Sequence, residues 1–235
     1  MQSLINQKKF RMSRKGFIFD LDGVIVDTAK YHFYAWQKLA KTVGVDFTEE
    51  QNEQLKGISR VRSLEKILEW GGITLTENKF MELMAKKNND YLNYVDNMNE
   101  SEILPDVPKI LEYLKSQNQP IALGSASKNA RVILQKVSLY NYFNAIVDGT
   151  NVTKAKPDPE VFLNAAKQLK IEATNCIVFE DSVAGVQAAN IAGMISIGIG
   201  DKKVLSEADY VFKDFTEISV KFIDELAPKE LKMNT

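Results

Sequence analysis

The chain has 235 residues, 45% of them hydrophobic and 26% charged, with a formal net charge of -1. That length holds one full α/β domain plus a smaller insert, and the near-neutral balance exerts no global pull toward nucleic acid or an anionic membrane. No apolar run approaches the ~18 residues that span a bilayer, and Cys176 is the only cysteine, so no internal disulfide forms.

In chain order, Met1 to Lys15 carries Lys8, Lys9, Arg11, Arg14 and Lys15 but no apolar core of the signal-peptide kind. Residues 1–13 are therefore expected to be a flexible basic tail, with Met12 a candidate alternative start, and the protein is expected to stay in the cytoplasm. Gly16-Phe17-Ile18-Phe19 is a short apolar run that reads as a buried strand, stopped by the turn Asp20-Leu21-Asp22-Gly23. Residues 30–96 then contain no strand pattern. Over 31–43, His32, Trp36, Leu39, Ala40 and Val43 recur at helical spacing; 63–70 and 77–95 also read as helices, and Gly71-Gly72 ends one of them. Strand-like runs return at 120–123, 145–147, 176–179, 195–199 and 210–212, with helical patterns at 107–116, 129–137, 159–169 and 184–192. Such alternation predicts a mostly parallel sheet with helices on both faces. The expected organisation is an α/β core domain from 14–29 and 97–235, with an α-helical cap domain over 30–96 and linkers near 26–29 and 96–102. Cys176 opens one strand run and reads as a small core residue.

In open α/β sheets, ligands bind at the carboxyl ends of the strands. The first strand delivers Asp20 and Asp22 there, and the second delivers Ser125, Ala126, Ser127 and Lys128. Lys156 follows the third, and Glu180 and Asp181 follow the fourth. Carboxylates so grouped repel unless a cation is present, and hard oxygen donors suit magnesium. Hydroxyls and lysines nearby suit a phosphoryl group. A carboxylate is able to attack phosphorus and form an aspartyl phosphate, and a second carboxyl two residues on is placed for acid/base work.

The segments Asp20-Leu21-Asp22-Gly23-Val24, Ser125, Lys156-Pro157 and Glu180-Asp181-Ser182 resemble, in this order, the haloacid dehalogenase-like superfamily. The resemblance implies a Rossmann-like core. It makes Asp20 the nucleophile and a magnesium ligand, and Asp22 the general acid/base with its backbone carbonyl on the metal. It has Glu180 and Asp181 hold or orient the metal, and Ser125, the Ala126 backbone and Lys156 neutralise the transferring phosphoryl group.

From about Lys15 to about Gly200 the chain further resembles the β-phosphoglucomutase family. The residues that carry this are Thr28 through Trp36, the run Asn52-Glu53-Gln54-Leu55-Lys56-Gly57-Ile58-Ser59-Arg60 into Ser63-Leu64, and Ser125-Ala126-Ser127-Lys128-Asn129. It implies that Gly57, the Ile58 backbone, Ser59 and Arg60 contact substrate together with Ser127, Lys128 and Asn129, and that Thr28 and His32 serve the hinge between cap and core. Arg60 also has a physical rationale: a mutase binds a sugar with phosphate at either end, and a planar fork of donors on a cap loop supplies the second anion site. Lys87, on the last cap helix, is placed to reach toward the site, although a lysine on a helix is ordinarily solvated. The implied activity interconverts β-glucose 1-phosphate and glucose 6-phosphate through an aspartyl phosphate and a bisphosphate. A sugar-phosphate phosphatase shares the same core acids, and a non-catalytic sugar-phosphate-binding protein is a third reading. Gly198-Ile199-Gly200 lacks the continuation that nucleotide binding requires. The expected partner is a small sugar phosphate, without nucleic acid or membrane, bound by a monomer.

Overall fold

Each central strand sends alternate side chains to opposite faces, and apolar residues on both faces force helices onto both. The computed structural model describes residues 10–12, 14–227 and 229–231. Its strands are β1 (Phe10–Met12), β2 (Gly16–Phe19), β3 (Ile121–Gly124), β4 (Ala145–Val147), β5 (Cys176–Glu180), β6 (Ile195–Ile199), β7 (Tyr210–Phe212) and β8 (Lys229–Leu231). Its α-helices are α1 (Ala29–Thr42), α2 (Glu49–Glu53), α3 (Arg60–Gly71), α4 (Glu77–Val95), α5 (Val107–Ser116), α6 (Ala130–Lys136), α7 (Glu160–Leu169), α8 (Val183–Ile191) and α9 (Val220–Leu226). Among the described residues no helix is long and apolar enough to cross a membrane.

Six strands form one parallel sheet in the order β4-β3-β2-β5-β6-β7. The chain first builds outward from β2 through β3 and β4, then returns to build β5, β6 and β7 on the other side. The strand order therefore reverses between β2 and β5, which opens a crevice at their carboxyl ends. Phe17, Phe19, Ile177 and Phe179 pack on one face with Ile110 and Leu111 of α5 and Ile223 of α9. Ile18 and Val178 pack on the other with Phe162 and Ala165 of α7 and Ala188 and Ala189 of α8. The buried thiol of Cys176 lies in this second cluster.

Helices α1 to α4 lie between β2 and β3 in the chain. They enclose a separate apolar cluster that includes Trp36, Leu39, Phe47, Leu64, Ile67 and Leu83. The outgoing chain at Val26 and the returning chain at Ile103 form an antiparallel bridge. It is extended by hydrogen bonds from Asp27 N to Glu102 O and from Leu104 N to Ile25 O. The two crossings are thus tied to each other before the chain enters either body.

Several elements differ from expectation. Helix α2 was not foreseen: its sequence Glu-Glu-Gln-Asn-Glu has no apolar period, and a capping box between Thr48 and Gln51 starts it. Helix α3 begins at Arg60 rather than at 63, because the Ser59 hydroxyl caps it by accepting from Arg62 N. The tail expected over 1–13 contains β1, which pairs antiparallel with β8. That partner lies at the far end of the chain, and runs of three residues are too short to show a period. Residues 1–9 and 13 lie outside the described residues.

The rings of Phe19 and Phe179 stack at 4.5 Å between centroids, with Phe215 5.5 Å from Phe179. Phe19 and Phe179 immediately precede Asp20 and Glu180, so the stack braces the two strand ends whose relative height the ladder register fixes. Truncating Phe179 to Ala is expected to cost about 3–5 kcal/mol of unfolding free energy in urea titrations; a loss under about 1 kcal/mol would mean the stack supports nothing.

Candidate active site

The crevice at the reversal point is covered by the helical insert and encloses a cavity of about 480 Å³, a size suited to a small polar ligand. From the sheet side, Asp20, Asp22, Ser125, Ala126, Ser127, Lys128, Asn129, Lys156 and Asp181 line it; from the insert come His32, Gly57, Ile58, Ser59 and Arg60. Thr28 and Glu180, both expected at the site, are wholly buried behind this lining.

Lys156 holds the centre. Its ammonium lies 2.6 Å from Asp20 Oδ1 and 2.5 Å from Glu180 Oε1, and all three residues are buried. Burial works against its charge, but Asp20 and Glu180 outweigh it and keep Lys156 above the ordinary lysine range. Asp20 is pushed up to about 7, first by burial, which the Lys156 charge opposes, and then by Glu180 and Asp22. Glu180 was expected among the metal ligands. Here both its oxygens are engaged, Oε1 by Lys156 and Oε2 by the backbone N (2.7 Å) and hydroxyl (2.9 Å) of Ser182. The Ser182 hydroxyl also caps α8.

The Thr28 hydroxyl donates to Asp22 Oδ1, and His32 Nε2 stands 3.7 Å from the same oxygen. Burial alone would raise Asp22; His32 and Thr28 instead hold it below its usual value. His32 Nδ1 lies 2.9 Å from Lys87 Nζ, and that ammonium sits over the rings of Trp36 (4.6 Å) and Tyr91 (4.7 Å). Of the two readings its helix position left open, Lys87 takes the one that reaches the site, and it is buried there. Burial, reinforced by Arg60, pushes it down to about 7.

The loop after β3 is ordered by its own serines. Ser127 N donates to Ser125 Oγ and Asn129 N to Ser127 Oγ, which leaves each hydroxyl proton free to point at an anion. Besides His32 on Asp22, the insert meets the sheet domain across the cavity at Asn88, Lys56 and Gly57. Asn129 Nδ2 donates to Asn88 Oδ1 at 3.1 Å, and Lys56 Nζ lies 3.5 Å from Asp181 Oδ2. Gly57, with φ of +73°, lies so close to the sheet domain that an added Cβ would come 2.3 Å from Ser182 Oγ. Lys56, Asn88 and Tyr91 were missed from sequence. Lys56 sits within the run Asn52 to Arg60 and was legible as its second cation; Asn88 and Tyr91 gave no local signal.

Among the described residues no three acidic, His or Cys side chains converge as a finished metal cage. The donor chemistry nonetheless fits a magnesium ion, which takes few protein carboxylates and keeps waters. Asp181 is raised well above the carboxylate range by burial and Glu180, with Lys56 opposing and Asp20 and Asp22 adding to the rise. Of the carboxylates facing the cavity, Asp20 and Asp181 are thus short of positive charge, and every donor is oxygen.

Residues 17–199 match the family described as haloacid dehalogenase-like hydrolase, and the chain belongs to that family. Within it, the chain is 41% identical to a β-phosphoglucomutase of Bacillus subtilis over 90% of its own length and 94% of that protein. The crystal structure of a β-phosphoglucomutase from Clostridium difficile superposes with a TM-score of 0.88 at 41% identity, covering 91% of this chain and 96% of that one. A phosphorylated carbohydrates phosphatase of Thermotoga maritima is 31% identical over 83% of this chain and 91% of that protein.

Lys87 makes stability depend on pH. Its folded value near 7 lies far below the ordinary 10.5, so between about pH 7 and about pH 10 the unfolded chain binds the extra proton and stability rises with pH. Lys87→Met is expected to flatten that rise in urea titrations at about pH 7 and about pH 9.5; an unchanged slope would show that Lys87 is charged in the folded protein.

Proposed function

We propose that this chain is a β-phosphoglucomutase, interconverting β-glucose 1-phosphate and glucose 6-phosphate. One observation carries the reading beyond the shared fold: a single covered cavity has Asp20 and Lys156 on one wall and Arg60 on another. A phosphatase needs one anion site; a bisphosphate that must turn round needs two. The 41% identity to a named β-phosphoglucomutase supports the same reading.

In the proposed reaction, phosphorylated Asp20 gives its phosphoryl group to the 6-hydroxyl of β-glucose 1-phosphate while Asp22 accepts the hydroxyl proton. The Asp20 carboxylate leaves and the bisphosphate forms. After the bisphosphate turns, Asp20 attacks the 1-phosphoryl group, and Asp22 returns the proton to the departing O1, giving glucose 6-phosphate. Lys156 and the Ser125 hydroxyl, with the Ala126 backbone, neutralise the phosphoryl oxygens in transit. Arg60, with Ser127, Lys128 and Asn129, holds the phosphate that is not reacting; Gly57, Ile58 and Ser59 form the covering edge. Water is kept out by the insert, which protects the aspartyl phosphate from hydrolysis. Magnesium, when bound, supplies further positive charge at the transferring group, held by Asp20, Asp181 and the Asp22 carbonyl. Glu180 serves by fixing Lys156 and Ser182. Thr28 and His32 orient Asp22. The proposed setting is the cytoplasm, as a monomer, since one chain supplies the whole cavity wall.

The test pairs glucose 6-phosphate formation from β-glucose 1-phosphate, with magnesium and a trace of bisphosphate, with measurement of free phosphate. Fast isomerisation with little phosphate release is expected, and Asp20→Asn is expected to abolish it. Arg60→Ala should lower isomerisation by about 10²-fold or more and raise the share of turnover lost as phosphate. Phosphate release without isomerisation in the parent would establish the phosphatase instead.

A further inference from the structure

Tyr91, on α4, is almost wholly buried, at 1% exposure, yet its hydroxyl makes no hydrogen bond of normal geometry, although the Thr28 hydroxyl stands beside it. The phenol oxygen is the only buried side-chain polar atom in that condition among the described residues. The ring itself is well held. It lies against His32 with centroids 4.3 Å apart, and the Lys87 ammonium covers it. The polar groups acting on the phenol are Asp22, Thr28, Arg60 and Tyr31. Burial and the Asp22 charge push it well above its usual range, so the group remains a neutral donor.

The choice among those partners is narrow. Arg60 only donates, and Asp22 and Tyr31 act on the phenol through charge alone, whereas Thr28 stands within hydrogen-bonding reach of it. The Thr28 hydroxyl gives its proton to Asp22 but is able to accept in turn. We propose that Tyr91 is a positioning residue for Asp22 that acts through Thr28, its phenol donating to Thr28 Oγ1 and holding the Thr28 proton on the carboxylate. The proposal rests on the reading of Asp22 as acid/base. Successive hydrogen bonds polarise one another, so the third group strengthens the bond between the other two. The cost of a bare buried hydroxyl favours the arrangement in which Tyr91 is paired. Tyr91 lies on α4 of the insert, Thr28 is the crossing residue just before α1, and Asp22 belongs to the turn after β2. The three groups thus form one chain that runs from the insert through the crossing to the turn that bears the acid/base carboxylate.

The test compares the parent, Tyr91→Phe, Thr28→Val and the double variant in the isomerisation assay with magnesium. Tyr91→Phe removes one oxygen and keeps the ring, and its melting temperature is expected to equal or exceed the parent's. The expected result is a kcat about tenfold lower with KM within about twofold, and no further loss when Tyr91→Phe is added to Thr28→Val. Parent-like kcat in Tyr91→Phe, or losses that multiply in the double variant, would overturn the inference; the second outcome would mean that Tyr91 acts independently of Thr28. Should the parent release phosphate without isomerising, the mutase reading fails. The same four proteins, compared on phosphate release, still decide the role of Tyr91, because Asp22 handles the proton there as well.

Discussion

The site depends on one buried ammonium shared by two carboxylates. β2 and β5 are neighbours and end at the same height, which brings Asp20 and Glu180 together out of water. Two bare carboxylates so placed would repel and protonate; Lys156 makes the pairing tenable. The surroundings are shaped to keep it so. Ser182 occupies the remaining oxygen of Glu180, and α8 passes so near that a Cβ on Gly185 would fall 1.8 Å from Glu180 Oε1. Removing one member of such a set leaves an uncompensated buried charge, which is worse than never having buried it. The arrangement therefore fixes Asp20 at the cavity wall, where Lys156 opposes the rise that burial imposes on its carboxyl.

The helical insert adds a second layer of control on the opposite wall. Its polar groups form a chain from Lys87 through His32 to Asp22, roofed by Trp36 and Tyr91. Its rim meets the sheet domain at Asn88, Lys56 and Gly57. Acid/base work and covering of the cavity thus draw on the same few residues, and the tied crossings at Val26 and Ile103 fix where the two bodies meet.

The sheet and the acids at its edge were legible because a parallel strand buried on both faces is a continuous apolar run, and each run here ends on polar residues. What stayed hidden depends on contacts distant in sequence. Glu180 and Asp181 are adjacent and look alike, yet only packing against Lys156 and Ser182 turns one inward and leaves the other at the cavity. Lys87 carries the signature of a solvated helix face; the groove between α1 and α4, which no local pattern shows, makes it a buried base. Ser59 was read as a substrate contact, and its hydroxyl is engaged at a helix start, a use that depends on where α3 begins. Asn88 and Tyr91 lie in a run whose polar character resembles any exposed helix.

Gly57 sets the closing distance of the roof by what it lacks. With no side chain, its backbone settles directly on Ser182, and any larger residue would hold the edge off by at least the width of a methyl group. In the proposed reaction the phosphoryl group chooses between a sugar hydroxyl and the solvent, and a gap of that order is a doorway for the solvent. Whether the molecule transfers phosphate or wastes it would then hang on the absence of one carbon atom, far in sequence from the carboxylate that does the chemistry.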